Sequence, residues 1–147
     1  MNLCRLVTSF MIALDTNVLI YACDKADLER QRVALDLIST AGDGVLLWQV
    51  ACEFVAASRK LRSQGFTIAD AWDRLADDLA IFPLILPAAG ALERARILHA
   101  EDGWSFWDAM IVAACLECGV TRLYSEDVPG RAVPKPLEIV NLFVQPT

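Results

Sequence analysis

Four acidic residues stand next to strongly apolar segments of the sequence, and together they could hold a divalent cation. Asp15 interrupts the apolar run MIALDTNVLIYA that starts at Met11, and Glu53, Asp108 and Asp127 each adjoin another apolar segment. Carboxylates brought close together repel one another by roughly 4 kcal/mol per pair at an effective dielectric constant of 20. They stay ionised together when cations lie between them, and carboxylates are typical ligands of Mg²⁺ and Mn²⁺. Four converging acids would therefore indicate a metal-dependent site.

Each acid also has a purely structural interpretation. Asp15 can cap the helix that follows it, and Ser105 with Asp108 matches a capping box in which Asp replaces the usual Glu or Gln. Glu53 falls on a polar stripe of a predicted helix, where a solvated charge is common, and Asp127 can be a plain loop charge. One acid alone decides nothing, so the case for a metal site depends on the position that the four share in the fold.

Apolar periodicity and turn residues predict the elements that must position these acids. Short apolar strands alternate with helices, and no repeat or Pro/Ser-rich linker divides the chain. The predicted strands cover 11–14, 45–48, 82–86, 121–125 and 139–143, and the predicted helices cover 17–23, 28–40, 49–62, 68–79, 88–100 and 106–118, with a loop at 130–136. Gly119 follows the last helix, where a left-handed cap is expected.

This alternation predicts an α/β domain with three α/β/α layers and a mainly parallel central sheet. Ligands of such sheets bind beyond the carboxyl ends of the strands. Asp15 lies at the end of the first predicted strand, and Asp127 lies two residues beyond the strand that ends at Ser125. Glu53 is in the helix after the second strand, and Asp108 is in the first turn of the last helix. All four are therefore expected near one edge of the sheet.

The length and composition predict a single domain, and the start of the sequence is a poor match to a signal peptide, so we interpret the protein as cytoplasmic. The 147 residues are 56% hydrophobic, yet no apolar run approaches the roughly 20 residues that span a bilayer. The net charge of −6 argues against a passive nucleic-acid binder, so contact with nucleic acid would need a local feature such as bound metal.

Other chemistry-bearing residues give weaker indications. Five cysteines in apolar segments favour buried thiols in a reducing compartment, and the pair Cys115 and Cys118 has no second pair with which to form a zinc site. The only histidine, His99, is interpreted as a capping or surface residue. Neither a P-loop, a nucleophile elbow nor a G-x-G-x-x-G motif occurs. Any catalysis is therefore expected to depend on the acids.

Four segments together resemble the PIN-domain family, and within it the VapC-type ribonuclease toxins of toxin–antitoxin pairs. They are LDTNVL at 14–19, WQVACEFVAASRK at 48–60, SFWDAMIVAAC at 105–115 and LYSEDV at 123–128. The resemblance covers nearly all of residues 11–144 and implies that the four acids are the catalytic, metal-binding residues. The polar residues implied as their supports are Thr16, Asn17, Ser105 and Ser125.

Two features depart from the family pattern. Trp48 stands at the end of the second predicted strand, where relatives often have Ser. Residues 1–10 have no counterpart at the usual start of the family, so we interpret them as an N-terminal extension or a mis-assigned start. Residues 11–147 are then the PIN-like nuclease domain.

The resemblance implies a metal-dependent endoribonuclease that is the toxin of a toxin–antitoxin pair, with Mg²⁺ or Mn²⁺ as cofactor. The implied partners are RNA, a cognate antitoxin and a second copy of the chain, with no membrane. There are two alternatives to this function. A catalytically silent PIN-like interaction module is disfavoured because all four acids are present. A haloacid-dehalogenase-like phosphotransferase is disfavoured because Asn17 occupies the position where that family needs a second Asp.

Basic and aromatic residues near the acids are candidates for RNA contact. The basic candidates are Arg59, Lys60 and Arg62 after Glu53, and Arg122, Arg131 and Lys135 around the last loops. For any one of them, a solvated surface position is at least as good an explanation. The aromatic residues Trp104, Phe106 and Trp107 precede Asp108, and for these we favour packing in the core or in a dimer over stacking on a base.

Overall fold

A five-stranded parallel sheet forms the centre of the structure, a computed structural model that describes residues 11–127 and 131–144. The strands are β1 (Ile12–Leu14), β2 (Gly44–Leu47), β3 (Leu84–Ile85), β4 (Arg122–Tyr124) and β5 (Glu138–Val140). They lie in the order β3-β2-β1-β4-β5, and each pairing is parallel. Strands β2 and β3 lie on one side of β1, and β4 and β5 lie on the other side, so the two halves of the sheet meet between β1 and β4. The crevice at their carboxyl ends is therefore the topological switch point, where such sheets bind ligands.

Helices cover both faces of this sheet. Within the described residues the α-helices are α1 (Thr16–Cys23), α2 (Leu28–Thr40), α3 (Trp48–Ala57), α4 (Ile68–Ile81), α5 (Ala89–Arg96) and α6 (Phe106–Cys118). A 3-10 helix, Ser58–Gln64, continues α3, and a π-helical turn, Ile97–Glu101, continues α5. Helix α1 packs against α2 and α3, α3 packs against α4, and α5 packs against α6. The predicted three-layer α/β/α architecture is confirmed.

The core lies where the sheet meets the helical layers. The strands are apolar because both faces of a parallel sheet are covered, and all four residues of β2 are buried. Phe54 of α3 and Phe82, just before β3, are the largest fully buried side chains. A Cβ atom on Gly44 would lie 2.9 Å from the Phe82 ring, so the absence of a side chain there allows the ring to pack against β2. Gly119, with φ of 86°, ends α6 in the predicted left-handed conformation.

The predicted element boundaries are wrong at several places. Trp48 starts α3 and does not end β2, and no side chain caps α3, so the usual polar signal of a helix start is missing. Helix α3 ends at Ala57, before the 3-10 helix, and does not continue to residue 62. Strand β5 ends at Val140 and does not continue to 143, because the Asn141 side chain accepts the Phe143 N–H at 2.8 Å and turns the chain.

Some predictions lie outside the described residues. These are the N-terminal extension at 1–10, the first residue of the predicted loop at 130–136, and the last residues of the domain, 145–147. Within 11–127 and 131–144, no helix is long and apolar enough to cross a membrane.

Candidate active site

A cavity of about 430 Å³, here called the acidic cavity, opens at the switch point and is lined by all four predicted acids. Asp15 follows β1, and Asp127 follows β4. Glu53 projects from α3, and Asp108 lies in the first turn of α6. The structure thus brings together four acids that are widely separated in sequence, at the edge where the strand pattern places them.

Asp15 is held by a donor on each carboxylate oxygen. The Thr16 backbone N–H donates to Oδ1 at 2.7 Å, and the Ser125 hydroxyl donates to Oδ2 at 2.7 Å. The backbone N–H of Asp15 donates to the Tyr124 carbonyl at 2.9 Å, which continues the pairing of β1 with β4. Asp15 is also the N-cap of α1. The capping interpretation is therefore correct, and the same carboxylate still lines the cavity.

The pKa of Asp15 reflects its burial and the other charges of the cavity. Burial raises the pKa of Asp15, and the nearby charges of Glu53 and Asp127 raise it further. The hydrogen bonds from Ser125 and Thr16 act in the opposite direction, because they stabilise the ionised form. A cation among these acids would relieve both the burial of the Asp15 charge and the repulsion.

Glu53 accepts a side-chain hydrogen bond on each of its oxygens. The Thr16 hydroxyl of α1 donates to Oε2 at 3.0 Å, and the Gln49 amide donates to Oε1 at 2.9 Å. The contribution of Gln49 is absent from the sequence-based site. Its spacing from Glu53, one helical turn, is the signal that could have predicted this bond.

Ser125 and Asn17 connect α1 to the segment that carries Asp127. The buried Ser125 hydroxyl donates to Asp15 and accepts the Asp127 backbone N–H at 3.0 Å. The side-chain oxygen of Asn17 accepts the Glu126 backbone N–H at 3.3 Å. Both polar residues therefore lie where they can support the acids.

Ser105 caps α6 and thereby fixes the turn that contains Asp108. Its hydroxyl accepts the Asp108 backbone N–H at 3.4 Å. In the described part of the chain, the Ser105 backbone N–H does not donate to the Asp108 carboxylate in return, so the capping box is half complete. The Asp108 carboxylate lines the acidic cavity instead.

The donors of the acidic cavity fit a hard divalent cation by their chemistry, since all four are carboxylates. Among residues 11–127 and 131–144, no three His, Cys, Asp or Glu side chains lie close enough together to form a ready-made metal site. Binding would therefore require the carboxylates to turn further into the cavity. Repulsion among the four carboxylates gives the electrostatic reason for a cation to draw them together.

The sequence of the chain matches a known protein family. The model of the PIN domain family matches residues 12–129, a range that contains all four acids. The chain belongs to the PIN domain family. Curated proteins include none with significant sequence similarity to it.

Three solved structures share the fold of this chain. VapBC2 from Rickettsia felis, bound to a DNA fragment from its promoter, has a TM-score of 0.64 at 15% identity and covers 90% of this chain and 98% of its own. A toxin–antitoxin complex from Klebsiella pneumoniae has a TM-score of 0.60 at 20% identity, covering 90% and 96%. VapC20 of Mycobacterium tuberculosis, a Sarcin-Ricin loop cleaving toxin, has a TM-score of 0.62 at 19% identity, covering 81% and 90%. At these identities the similarity establishes the shared fold.

The basic residues that are candidates for RNA contact lie in different surroundings. Lys60 lines the acidic cavity, whereas Arg59 and Arg62 line another recess of about 190 Å³. Arg122 pairs with Glu138 at 3.4 Å, and the Arg131 side chain donates to the Asp102 carbonyl at 3.1 Å; Lys135 is exposed. Of the candidates Arg59, Lys60 and Arg62, only Lys60 is thus placed beside the four acids.

The aromatic residues near Asp108 also lie in different surroundings. Trp104 is buried in the core, which agrees with the packing interpretation. Trp107 is 62% exposed, lines the acidic cavity and meets the Phe106 ring edge-to-face at 4.9 Å. His99 contacts the Trp104 carbonyl through Nδ1 at 2.8 Å, so it has a structural partner next to the start of α6.

The cysteine pair of α6 has contacts within its own helix. Cys115 is buried, and the Cys118 thiol donates to the Cys115 carbonyl at 3.7 Å. Cys115 is a free thiol. Burial raises the pKa of the Cys115 thiol well above its usual range, which keeps it protonated and unreactive.

A second cavity of the PIN domain, here called the apolar groove, lies beside the acidic cavity. Its volume is about 440 Å³, and it shares Gln49, Glu53 and Trp107 with the acidic cavity. The remaining wall is mostly apolar and includes Trp48, Cys52, Ala56, Ile85, Leu86, Pro87, Ala91, Met110 and Ala114. Trp48 and Leu86 are 48% and 66% exposed, so this groove presents apolar surface beside the acids.

Proposed function

We propose that this PIN-domain protein is a Mg²⁺- or Mn²⁺-dependent endoribonuclease that acts as the toxin of a toxin–antitoxin pair. The observation that carries the proposal is the acidic cavity, in which carboxylates from four separate segments face one space at the switch point. The fold shared with VapC20, a Sarcin-Ricin loop cleaving toxin, and with two toxin–antitoxin assemblies supports the same activity and setting for this chain.

The catalytic and metal-binding residues of this proposal are Asp15, Glu53, Asp108 and Asp127. When bound, the divalent cation would lower the pKa of a water molecule and stabilise negative charge on the phosphodiester. The hydrogen bonds from Ser125 and Thr16 favour the ionised form of the Asp15 carboxylate and so oppose the effect of burial on its pKa. Thr16 also holds Glu53, so one residue at the start of α1 positions two ligands.

RNA binding requires positive charge in a protein whose net charge is −6. Lys60 is the basic side chain at the wall of the acidic cavity, where its ammonium group can contact an RNA phosphate. Arg59 and Arg62 line a different recess, so they would contact the RNA only outside the acidic cavity. We therefore expect RNA to approach along the side of the 3-10 helix on which Lys60 lies.

A cognate antitoxin is the proposed regulatory partner. A basic side chain of the antitoxin would enter the acidic cavity, and apolar anchors would cover Trp107, which lines it, and the exposed Phe106 ring that contacts Trp107. Charge attraction supplies rapid association, whereas apolar burial supplies most of the affinity. Occupation of the cavity would exclude RNA and silence the nuclease.

A homodimer is also part of the proposal. The apolar groove offers exposed side chains, Trp48 and Leu86 among them, that a second copy of the chain would bury. Exposed apolar surface of this kind is typical of a protein interface.

Cleavage of RNA by the purified protein tests the proposed activity directly. We expect cleavage with Mg²⁺ or Mn²⁺, none with excess EDTA, and none by the Asp15→Asn variant. The open arrangement of the acids favours one alternative, a catalytically silent interaction module. Wild-type protein that binds its antitoxin and yet cleaves no RNA with either metal would establish that alternative.

A further inference from the structure

Gln49 connects the two helices that carry Glu53 and Asp108. Its side-chain nitrogen donates to Glu53 Oε1 at 2.9 Å within α3 and to the Trp107 carbonyl of α6 at 3.4 Å. A primary amide nitrogen carries two hydrogens, so both bonds can form at once. Because Trp107 directly precedes Asp108, this one side chain touches one acid and the backbone next to another.

The Gln49 bond completes the set of contacts that orient Glu53. Thr16 donates to the other carboxylate oxygen at 3.0 Å, so one oxygen is held from α1 and the other from Gln49. A carboxylate held at both oxygens has a fixed plane, and groups that orient a metal ligand in this way commonly strengthen binding 10- to 100-fold, as an order of magnitude.

The chemical type of the side chain is suited to this position. A neutral amide donates hydrogen bonds without adding to the negative charge of the four acids. A lysine at the same place would pair with Glu53 and compete with a cation for it. Glutamine is therefore a donor that fixes Glu53 and leaves its charge available.

We propose that Gln49 is a positioning residue for divalent metal, which orients Glu53 and sets the approach of α3 to the start of α6. This inference rests on the proposed function, because it assigns Gln49 a part in the metal site of the nuclease. Gln49 also lines both the acidic cavity and the apolar groove, so the same side chain forms part of the partition between them.

The test compares Gln49→Met with Gln64→Met. Methionine has a similar length without the amide donor. Gln64 is a matched control because it also lines the acidic cavity and donates to a carboxylate, Asp24, at 2.7 Å, which is outside the four acids. Isothermal titration with MnCl₂ should show about tenfold weaker binding for Gln49→Met and a change within about twofold for Gln64→Met.

Cleavage kinetics separate positioning from a general structural role. In Gln49→Met the Mg²⁺ concentration for half-maximal cleavage should rise about tenfold, whereas the rate at saturating Mg²⁺ should stay within about threefold. A fold defect would lower the maximal rate and leave half-saturation unchanged. Gln49→Ala, which removes the same amide and retains a good helix former, should behave in the same way.

The outcomes distinguish this inference from the proposed function. If wild-type protein binds Mn²⁺ and cleaves RNA while both Gln49 variants bind Mn²⁺ normally, Gln49 has no positioning role. Equal losses of Mn²⁺ affinity in Gln49→Met and Gln64→Met would also overturn the inference, because the effect would then not depend on the contact between Gln49 and Glu53. Wild-type protein that neither binds Mn²⁺ nor cleaves RNA would overturn the proposed function itself.

Discussion

The acidic cavity and the apolar groove are neighbours of nearly equal volume, about 430 and 440 Å³, with opposite chemistry. Helix α3 and the 3-10 helix that continues it contribute to both. In α3, Trp48, Cys52 and Ala56 line only the apolar groove, whereas Gln49 and Glu53 line both cavities. Ala57 at the end of α3, with Lys60, Leu61 and Gln64 of the 3-10 helix, lines only the acidic cavity. Residues four apart share a face of a helix, so a shift of one position changes the surface that a side chain meets. Catalysis and partner binding should therefore be separable by mutations within single helices.

The largest expected effect comes from the acids. Asp15→Asn, Glu53→Gln and Asp108→Asn should each lower metal-dependent RNA cleavage at least about 100-fold, because each removes a ligand charge. The fold should survive, since the substitutions reduce repulsion in the cavity. Cleavage of a labelled RNA measures the first effect, and circular dichroism melting measures the second.

Glu117→Gln is the matched control for this series. Glu117 lies on α6 like Asp108, but it lines the apolar groove and pairs with Arg94 at 3.0 Å. Its activity should stay within about twofold of wild type, because the ion pair is largely exposed and contributes little. Full activity in any one of the three acid variants would remove that residue from the site.

Charge reversal in the acidic cavity should have the next largest effect, on antitoxin binding. Asp15→Lys places a like charge against an incoming basic side chain and should weaken the complex about 100-fold. Asp43→Lys changes the net charge equally, at an exposed turn between α2 and β2. Surface plasmon resonance with the co-expressed antitoxin should show near-normal binding for this control. Equal affinity of both variants would indicate that the antitoxin binds elsewhere.

A charge in the apolar groove should weaken self-association and spare the acidic cavity. Leu86→Glu should raise the dimer dissociation constant by about tenfold or more, because it buries a charge in place of an apolar contact. Leu28→Glu is the control, since Leu28 is 71% exposed and Leu86 is 66% exposed. Sedimentation velocity measures both. A wild-type monomer, or equal dimers in both variants, would contradict the assignment of the groove.

The smallest effect is expected from removing residues 2–10, so that the chain starts at Met11. The PIN family model begins at residue 12, and the described walls of both cavities begin at Asp15. Terminal segments tolerate truncation unless packing holds them. The melting temperature should change by less than about 2 °C and the RNA cleavage rate by less than about twofold. A large loss of either would make these residues an integral part of the domain.

The sequence was most informative where helix ends carry capping residues. Helices α2 and α6 have the predicted limits, because Asp27 and Ser105 cap their starts and Gly119 ends α6. The start of α3 was missed because it has no side-chain cap. The placement of Asp15 and Asp127 followed from the predicted strands alone, since it requires only that they adjoin the carboxyl ends of parallel strands.

Other features of the site depend on distances that a pattern does not contain. The Gln49 contact with Trp107 requires the approach of α3 to α6, which tertiary packing sets. The separation of Lys60 from Arg59 and Arg62 was missed because the prediction treats the three basic residues as one group. Ser58–Gln64 is a 3-10 helix with three residues per turn, so Arg59 and Arg62, three residues apart, share one side and Lys60 lies on another.

The shortness of β3 has a consequence for how molecules of this protein can assemble. This edge strand has two residues, Leu84–Ile85, and prolines at 83 and 87 flank it closely. Proline has no backbone N–H, so this border of the sheet offers few donors to a strand from another molecule. Extension of the sheet from chain to chain, the route to fibrous aggregates, is therefore blocked along β3. Association on this side of the domain therefore depends on contacts between side chains, and such contacts can form a discrete complex.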